Sequence, residues 1–278
     1  MKAYVLTYHS HRILGDDYAR NDHVALRSDL ETITASGCTI VPLDAIVEVA
    51  QTRARPDSSQ RLVALTFDDG PAFDLDDVVH PDFGPQRSFA NIMRDFRASR
   101  GGTQPRLHGT SFVIASADAR LQMEQTYERE YTYIAPGALA DAWWGRAVDS
   151  GLLSIANHSW DHLHPGIRSV AHSQQARGDF ARVSTFEDAD AQILAAMRYI
   201  NARTSQRAAP YFAYPYGTFN EFLTERYLPA RQRELGLVAA FTTEPKPIGG
   251  GESVWRLPRY VCGHHWKAPQ ELAGILAG

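Results

Sequence analysis

Cysteine is scarce in this chain: Cys38 and Cys262 are the two present, far apart in 278 residues. Two thiols at that separation supply neither a disulfide framework nor a thiolate zinc site, although a single bridge between them stays open. Long apolar runs are missing too, since no segment approaches the roughly 20 apolar residues a membrane-spanning helix needs. Charge of one sign is equally short, with 28 Lys and Arg against 32 Asp and Glu and a formal charge of −4. Without a basic block the chain offers no electrostatic footprint for nucleic acid or another polyanionic partner. Residues 1–15 set Tyr4, Thr7, Tyr8, His9 and His11 where a secretory leader would run uninterrupted apolar residues. Read as given, the chain is expected to be cytoplasmic, and a secreted chain trimmed of its leader would read the same. Repeats and low-complexity tracts do not stand out.

What is present suits a folded domain. Apolar residues make up 44% and charged residues 22% of the chain, an ordinary globular balance. A compact fold of this size buries about 75% of its extended surface. Short runs rich in β-branched and aromatic residues predict buried strands at 3–7, 39–43, 62–67, 109–115, 152–156, 211–214, 238–242 and 254–261. Amphipathic segments predict helices at 25–36, 88–99, 186–204 and 219–235, with glycine or polar stops where C-caps belong and Pro229 kinking or interrupting the last. Strand-helix alternation of this kind implies parallel strands with right-handed crossovers, hence a barrel or a doubly wound sheet. The polar stretch 53–60 is too short to divide domains, and 71–86, acidic with Gly and Pro, reads as a loop. A single domain over 1–278 follows.

Two clusters carry chemistry. The strand at 62–67 ends in Asp68-Asp69-Gly70, which puts two carboxylates at a strand's carboxyl end, the rim where parallel α/β folds build their sites. The same triplet would also serve as a plain polar turn. The strand at 152–156 leads into His158-Ser159-Trp160-Asp161-His162. If a helical turn begins there, i,i+4 spacing brings both imidazoles to one face, a geometry suited to a single metal ion.

Thr66-Phe67-Asp68-Asp69-Gly70 and His158-Ser159-Trp160-Asp161-His162 resemble the first two motifs of the polysaccharide deacetylases, the NodB-homology carbohydrate esterases. The similarity runs from about Leu62 to Gly263, through Gly109-Thr110-Ser111-Phe112-Val113 and Phe212-Ala213-Tyr214-Pro215-Tyr216-Gly217. The resemblance implies an irregular (β/α)7 barrel. It implies Asp69, His158 and His162 as ligands of a divalent metal with coordination positions left for water and substrate, zinc by default, with nickel, cobalt, manganese or iron accommodated by the same donors. Such a cation would acidify water and polarise an acyl carbonyl. Asp68 matches the family's general base, and the backbone N–H of Tyr216 its oxyanion donor, unless that segment is only a strand ending in a Pro-Gly turn.

Two departures qualify the match. The family's arginine, two residues before the third-motif proline, is Ala213 here, and Arg259 is the expected substitute. The family's late histidine, which protonates the leaving group, has His264 as its candidate, with His265 beside it, although the surrounding residues match poorly and both also read as exposed loop histidines. His9 ends the first strand and reads more readily as a packed histidine than a rim group. His11, His23, His80, His108, His164 and His172 have no partner spacing. Trp143, Trp144, Trp160, Tyr211 and Trp266 offer faces for sugar stacking or, more commonly, packing.

The expected function is hydrolysis of an acetamido group, or of an acetate ester, on a carbohydrate or cell-envelope glycan, with the 71–86 insertion shaping the groove. Alternatives are hydrolysis of a non-sugar C–N amide, as in deformylation or cyclic-imide opening, and a carbohydrate-binding barrel without turnover. Two histidines and a carboxylate also suit a non-haem Fe(II) oxygenase, a class normally built on an antiparallel β-framework.

Overall fold

The computed structural model describes residues 2–52, 60–126, 132–168, 171 and 177–278. The polar stretch 53–60, save Gln60, and His172 lie outside them. In chain order the elements are β1 (Lys2–Tyr8), α1 (Asp22–Ala35), β2 (Thr39–Ile40), α2 (Leu43–Gln51), β3 (Arg61–Phe67), β4 (Val78–His80), β5 (Gly84–Gln86), α3 (Phe89–Arg100), β6 (Gly109–Val113), α4 (Ala117–Thr126), α5 (Trp144–Asp149), β7 (Leu153–Asn157), α6 (Phe186–Ala189), α7 (Ala195–Arg203), β8 (Tyr211–Ala213), α8 (Leu228–Leu235), β9 (Ala239–Phe241), β10 (Tyr260–Val261) and α9 (Pro269–Ala277).

Apart from β4 and β5, the strands form one curled parallel sheet whose main path runs β10-β1-β3-β6-β7-β8-β9. β2 pairs with the first half of β3 at Leu62 and Val63, and β6 takes over that edge from Leu65 onward. The short stretch before and within β10 sews the two sheet ends together. Leu257 bridges Phe241 of β9, while Tyr260 and Val261 pair with Leu6 and Thr7 of β1. The result is the irregular barrel expected of the deacetylase fold.

Period-2 alternation assigns the faces. Ala3 and Val5 of β1 cluster with Ala64, Phe112, Ala156, Ala213, Phe241 and Leu257. Their neighbours Tyr4, Leu6 and Tyr8 join Val63, Leu65 and Phe67 in packing against Leu26 and Leu30 of α1, Phe89 and Met93 of α3, and Leu272 of α9. Strands buried on both faces read as near-continuous apolar runs, which is why they are legible in sequence.

Several expectations need correcting. The run 39–43 is a strand only at Thr39–Ile40, because Pro42 sits at the N-cap of α2. The run 254–261 begins as a 3₁₀ turn, Val254–Arg256, and is strand only at Tyr260–Val261; Pro258 between them has no N–H for a ladder. The presumed loop at 71–86 contains the antiparallel β4-β5 hairpin. The helix expected at 219–235 does not end at Pro229. Its first part is a π-turn, Phe222–Tyr227, where Leu228 N–H donates to Leu223 O, and α8 continues through the proline. Cys38 and Cys262 are buried and unbridged. No helix among the described residues is long and apolar enough to cross a membrane.

Candidate metal centre

The site is built at the carboxyl ends of β1, β3, β7 and β8. Asp68 N–H still donates to Tyr8 O at 3.1 Å, the last rung of the β1-β3 ladder. Asp69 and Gly70 then both turn left-handed, at φ 72° and 69°, so the chain leaves the strand sharply. Only glycine fits the second position, because a Cβ there would lie 2.6 Å from Val113 Cγ1.

The two imidazoles arrive on a loop, not on the helical turn expected of their i,i+4 spacing. Ser159, His162 and Leu163 all have positive φ. The side chains of the segment itself hold this tight conformation. Asn157 Oδ1 accepts from Ser159 N–H at 2.8 Å, Ser159 Oγ accepts from His162 N–H at 2.9 Å, and Asp161 accepts from Leu163 N–H at 3.0 Å and Ala171 N–H at 2.7 Å. The rings end 4.8 Å apart, centroid to centroid.

The donor atoms of Asp69, His158 and His162 lie within 4.8 Å of one another, and all three residues are buried. His158 Nε2 is 3.6 Å and His162 Nε2 3.4 Å from Asp69 Oδ1, and His158 Nε2 is 3.8 Å from Asp68 Oδ2. The other nitrogen of His158, Nδ1, donates to Ala213 O at 2.9 Å, which fixes the tautomer and turns an Nε2 lone pair toward the carboxylates. His158 Nε2 and the two carboxylates are thus buried acceptors facing one another, an unfavourable arrangement that a cation relieves. Burial holds the His162 imidazole down at about 3, against the opposing pull of Asp69, so that ring is neutral and able to ligate. Burial by itself would raise the Asp69 carboxyl, but His11 and His162 outweigh it and hold it well below the usual carboxylate range. One ionised carboxylate and two imidazoles of this placement fit a divalent metal.

Asp68 lies beside this cluster and is gripped by Arg259, whose Nη1 and Nη2 donate to Oδ1 and Oδ2, each at 2.8 Å. The guanidinium is fully buried, donates Nε–H to Thr242 O at 3.0 Å and sits over the Phe112 ring. Burial raises the Asp68 carboxyl, and Arg259 with His158 more than offsets it, leaving Asp68 below its ordinary value and ionised. Arg259 therefore makes the contact that Ala213 cannot, reaching the carboxylate from the seam of the barrel.

An open cleft of about 440 Å³ above the cluster is lined by His9, His11, Asp68, Asp69, His158, His162, His164, Tyr216, Gly217, Thr243, Val261 and His264. Tyr216 has φ 58° in the turn after β8, is 41% exposed, and sets its ring 4.5 Å from that of His162. His264 is exposed at the cleft; His265 is turned away, its Nδ1 accepting from Val261 N–H at 2.7 Å and its ring edge against Tyr260. His23 is buried between Arg87 O and Ser10 O, and His108 pairs with Ser154 Oγ, both away from the cleft.

Sequence reasoning found no partner for His11, whose Nε2 lies 2.8 Å from Asp69 Oδ2, and favoured packing over the rim for His9, which lies on the cleft wall. The one available signal was the pair of histidines just past a buried strand. The aromatics weighed as sugar platforms are elsewhere. Trp143, Trp144 and Trp266 are fully buried, Tyr211 is buried against Phe241, and Trp160 packs on Tyr199.

Residues 103–235 match the family model for polysaccharide deacetylase. Over that segment the chain is similar to the polysaccharide deacetylases. The segment carries His158, His162, Ala213 and Tyr216, while Asp68, Asp69, Arg259 and His264 lie outside the matched span. No curated protein matches the chain. Among solved structures, IcaB from Ammonifex degensii is 16% identical, with all of this chain and 97% of that one covered at a TM-score of 0.66. The Streptococcus pyogenes deacetylase PplD, solved with acetate, is 14% identical over 99% of this chain and 98% of its own, at 0.62. The BpsB deacetylase domain from Bordetella bronchiseptica is 19% identical over 94% and 96%, at 0.56. At those identities the likeness is one of fold.

Proposed function

We propose that the protein is a metal-dependent hydrolase that removes an acetyl group from nitrogen, or from oxygen, on a carbohydrate or cell-envelope glycan. The observation that carries this reading is the convergence of Asp69, His158 and His162, with donor atoms within 4.8 Å, beside an Asp68 gripped by Arg259. The family match and the deacetylases of similar fold support the acetylated-sugar substrate.

A divalent cation held by those three residues, zinc by default for this donor set, would polarise the acyl carbonyl and acidify water. Asp68 takes the proton of the attacking water. Arg259 keeps it ionised and aims it, because a bidentate guanidinium leaves the carboxylate little rotational freedom. Charge that develops on the carbonyl oxygen is met by the backbone N–H of Tyr216. His264, on the cleft wall, supplies the proton that the leaving amine or alcohol needs. A carbohydrate-binding barrel without turnover would be favoured if Ala213 left Asp68 unpartnered, and the Arg259 guanidinium pairs with it instead. The oxygenase alternative is disfavoured by the parallel sheet.

The test is metal analysis of the purified protein together with acetate release from a panel of acetylated chito-oligomers and small amides. About one equivalent of divalent metal and acetate from the sugars are expected, and Asp69→Ala should lose both. Undiminished acetate release by Asp69→Ala, or by protein stripped of metal, would overturn the proposal.

A further inference from the structure

The two oxygens of Asp69 have separate partners. Oδ1 faces both imidazole donors, at 3.4 and 3.6 Å, whereas Oδ2 lies 2.8 Å from His11 Nε2. An ionised carboxylate only accepts, so His11 Nε2 carries the proton in this contact. Its other nitrogen, Nδ1, meets the Thr132 hydroxyl. That hydroxyl also donates to the His11 carbonyl at 3.0 Å, and the same carbonyl accepts Tyr133 N–H at 2.8 Å. The 132–133 segment thus holds both the ring and the backbone of His11 in place beside Asp69. The strap bearing Thr132 is held in turn by the Tyr133 ring, which lies 4.3 Å from His80 and stacks on Phe73 at 5.9 Å.

We propose that His11 is a positioning residue for the metal site. It occupies Asp69 Oδ2 so that the carboxylate presents Oδ1 alone, between His158 and His162, to the cation. This inference rests on the metal-site reading above. It differs from a role for His11 as a further ligand, which would turn Nε2 toward the ion instead of toward the oxygen that faces away from the imidazole pair.

The experiment is competition for Zn²⁺ alone against a chromogenic chelator, with thermal melts to confirm that each variant is folded. Partners behind a metal ligand are typically worth about 10–100-fold in metal affinity. His11→Ala should weaken Zn²⁺ binding by about that factor. His11→Gln, whose amide Nε2 can donate from nearly the same place, should recover most of it. Thr132→Val, which removes the hydroxyl from both the ring and the carbonyl of His11, should weaken binding in the same direction. Unchanged affinity in His11→Ala overturns the inference, as does a His11→Gln variant no better than alanine. Asp69→Ala in the same titration separates the two possible failures. If it keeps parental affinity, the metal site itself is wrong; if it loses Zn²⁺ while His11→Ala does not, only the role of His11 falls.

Discussion

At the level of single residues, the site depends on charges that burial makes expensive and neighbours make affordable. Asp68 and Arg259 are both buried, so each would be an uncompensated charge without the other. Breaking such a pair from one side costs on the order of 3–5 kcal/mol in the remaining buried charge, far more than the pair contributes over an apolar substitute. Arg259→Ala is therefore expected to do two things. Turnover should fall on the order of 10²-fold, the lower range of what a positioned base supplies, because Asp68 loses both the group that ionises it and the fork that aims it. Metal content should hardly change, since Arg259 touches none of the three proposed ligands. Arg259→Lys should rescue poorly, as an ammonium cannot make two parallel bonds. Steady-state rates and metal analysis on the same preparations check this, and near-normal turnover in Arg259→Ala would remove the arginine from the mechanism.

At the level of elements, the strands and the proposed site's Asp68, Asp69, His158 and His162 were legible together. Parallel strands buried on both faces announce themselves as apolar runs, and Asp68-Asp69 and the segment from His158 to His162 each follow one. α2 was hidden because the β-branched residues of 39–41 run straight into it and its polar face is thin, Asp44 and Glu48 one turn apart. His11 was hidden because its partner is 58 residues away, and pairing across parallel strands leaves no local spacing to read. The conformation of the His158–His162 loop was misjudged for a third reason: side-chain acceptors, not helical propensity, shape it. Gln192 on the π-turn Asp190–Leu194 donates to Asp161 Oδ1 at 2.9 Å, and Ile193 O on the same turn accepts from Asn157 Nδ2 at 2.9 Å. A π-turn is costly in a helix and recurs at functional sites, and here it directs two polar groups at the loop carrying His162. Asp161→Ala should free that loop, giving faster amide exchange over 158–168 and roughly tenfold weaker metal binding. Parental exchange and affinity would show the loop to be held by something other than Asp161.

At the level of the whole molecule, the barrel is closed by the last strand and secured by one buried carboxylate. Asp29 on α1 accepts from Tyr8 at the end of β1 (2.9 Å), from the Trp266 indole just past β10 (3.1 Å), and from Tyr18. Tyr8 and Trp266 also meet edge-on at 5.6 Å, and α9 packs its Leu272 and Leu276 into the same cluster as α1. Burial raises the Asp29 carboxyl from 3.8 to about 6, and the three donors only moderate that rise. The sign follows from proton counts. Between about pH 4 and 6 the folded chain keeps this proton while the unfolded chain releases it, so the contribution of Asp29 to stability is largest below pH 4 and is lost as pH climbs through 6. A shift of this size corresponds to roughly 2–3 kcal/mol. Asp68 and Asp69 are lowered and pull the opposite way, while buried Asp74 and Asp161 are raised like Asp29, so the bare pH profile of the protein does not isolate the effect. The difference between wild type and Asp29→Asn does, because the amide's poorer fit to three donors is the same at every pH. Urea denaturation at pH 4, 5, 6 and 7 should show the stability of wild type relative to Asp29→Asn falling by that amount between pH 4 and 6 and levelling off above. A difference that stays flat or grows with pH would mean that the seam of the barrel holds an ordinary ionised carboxylate.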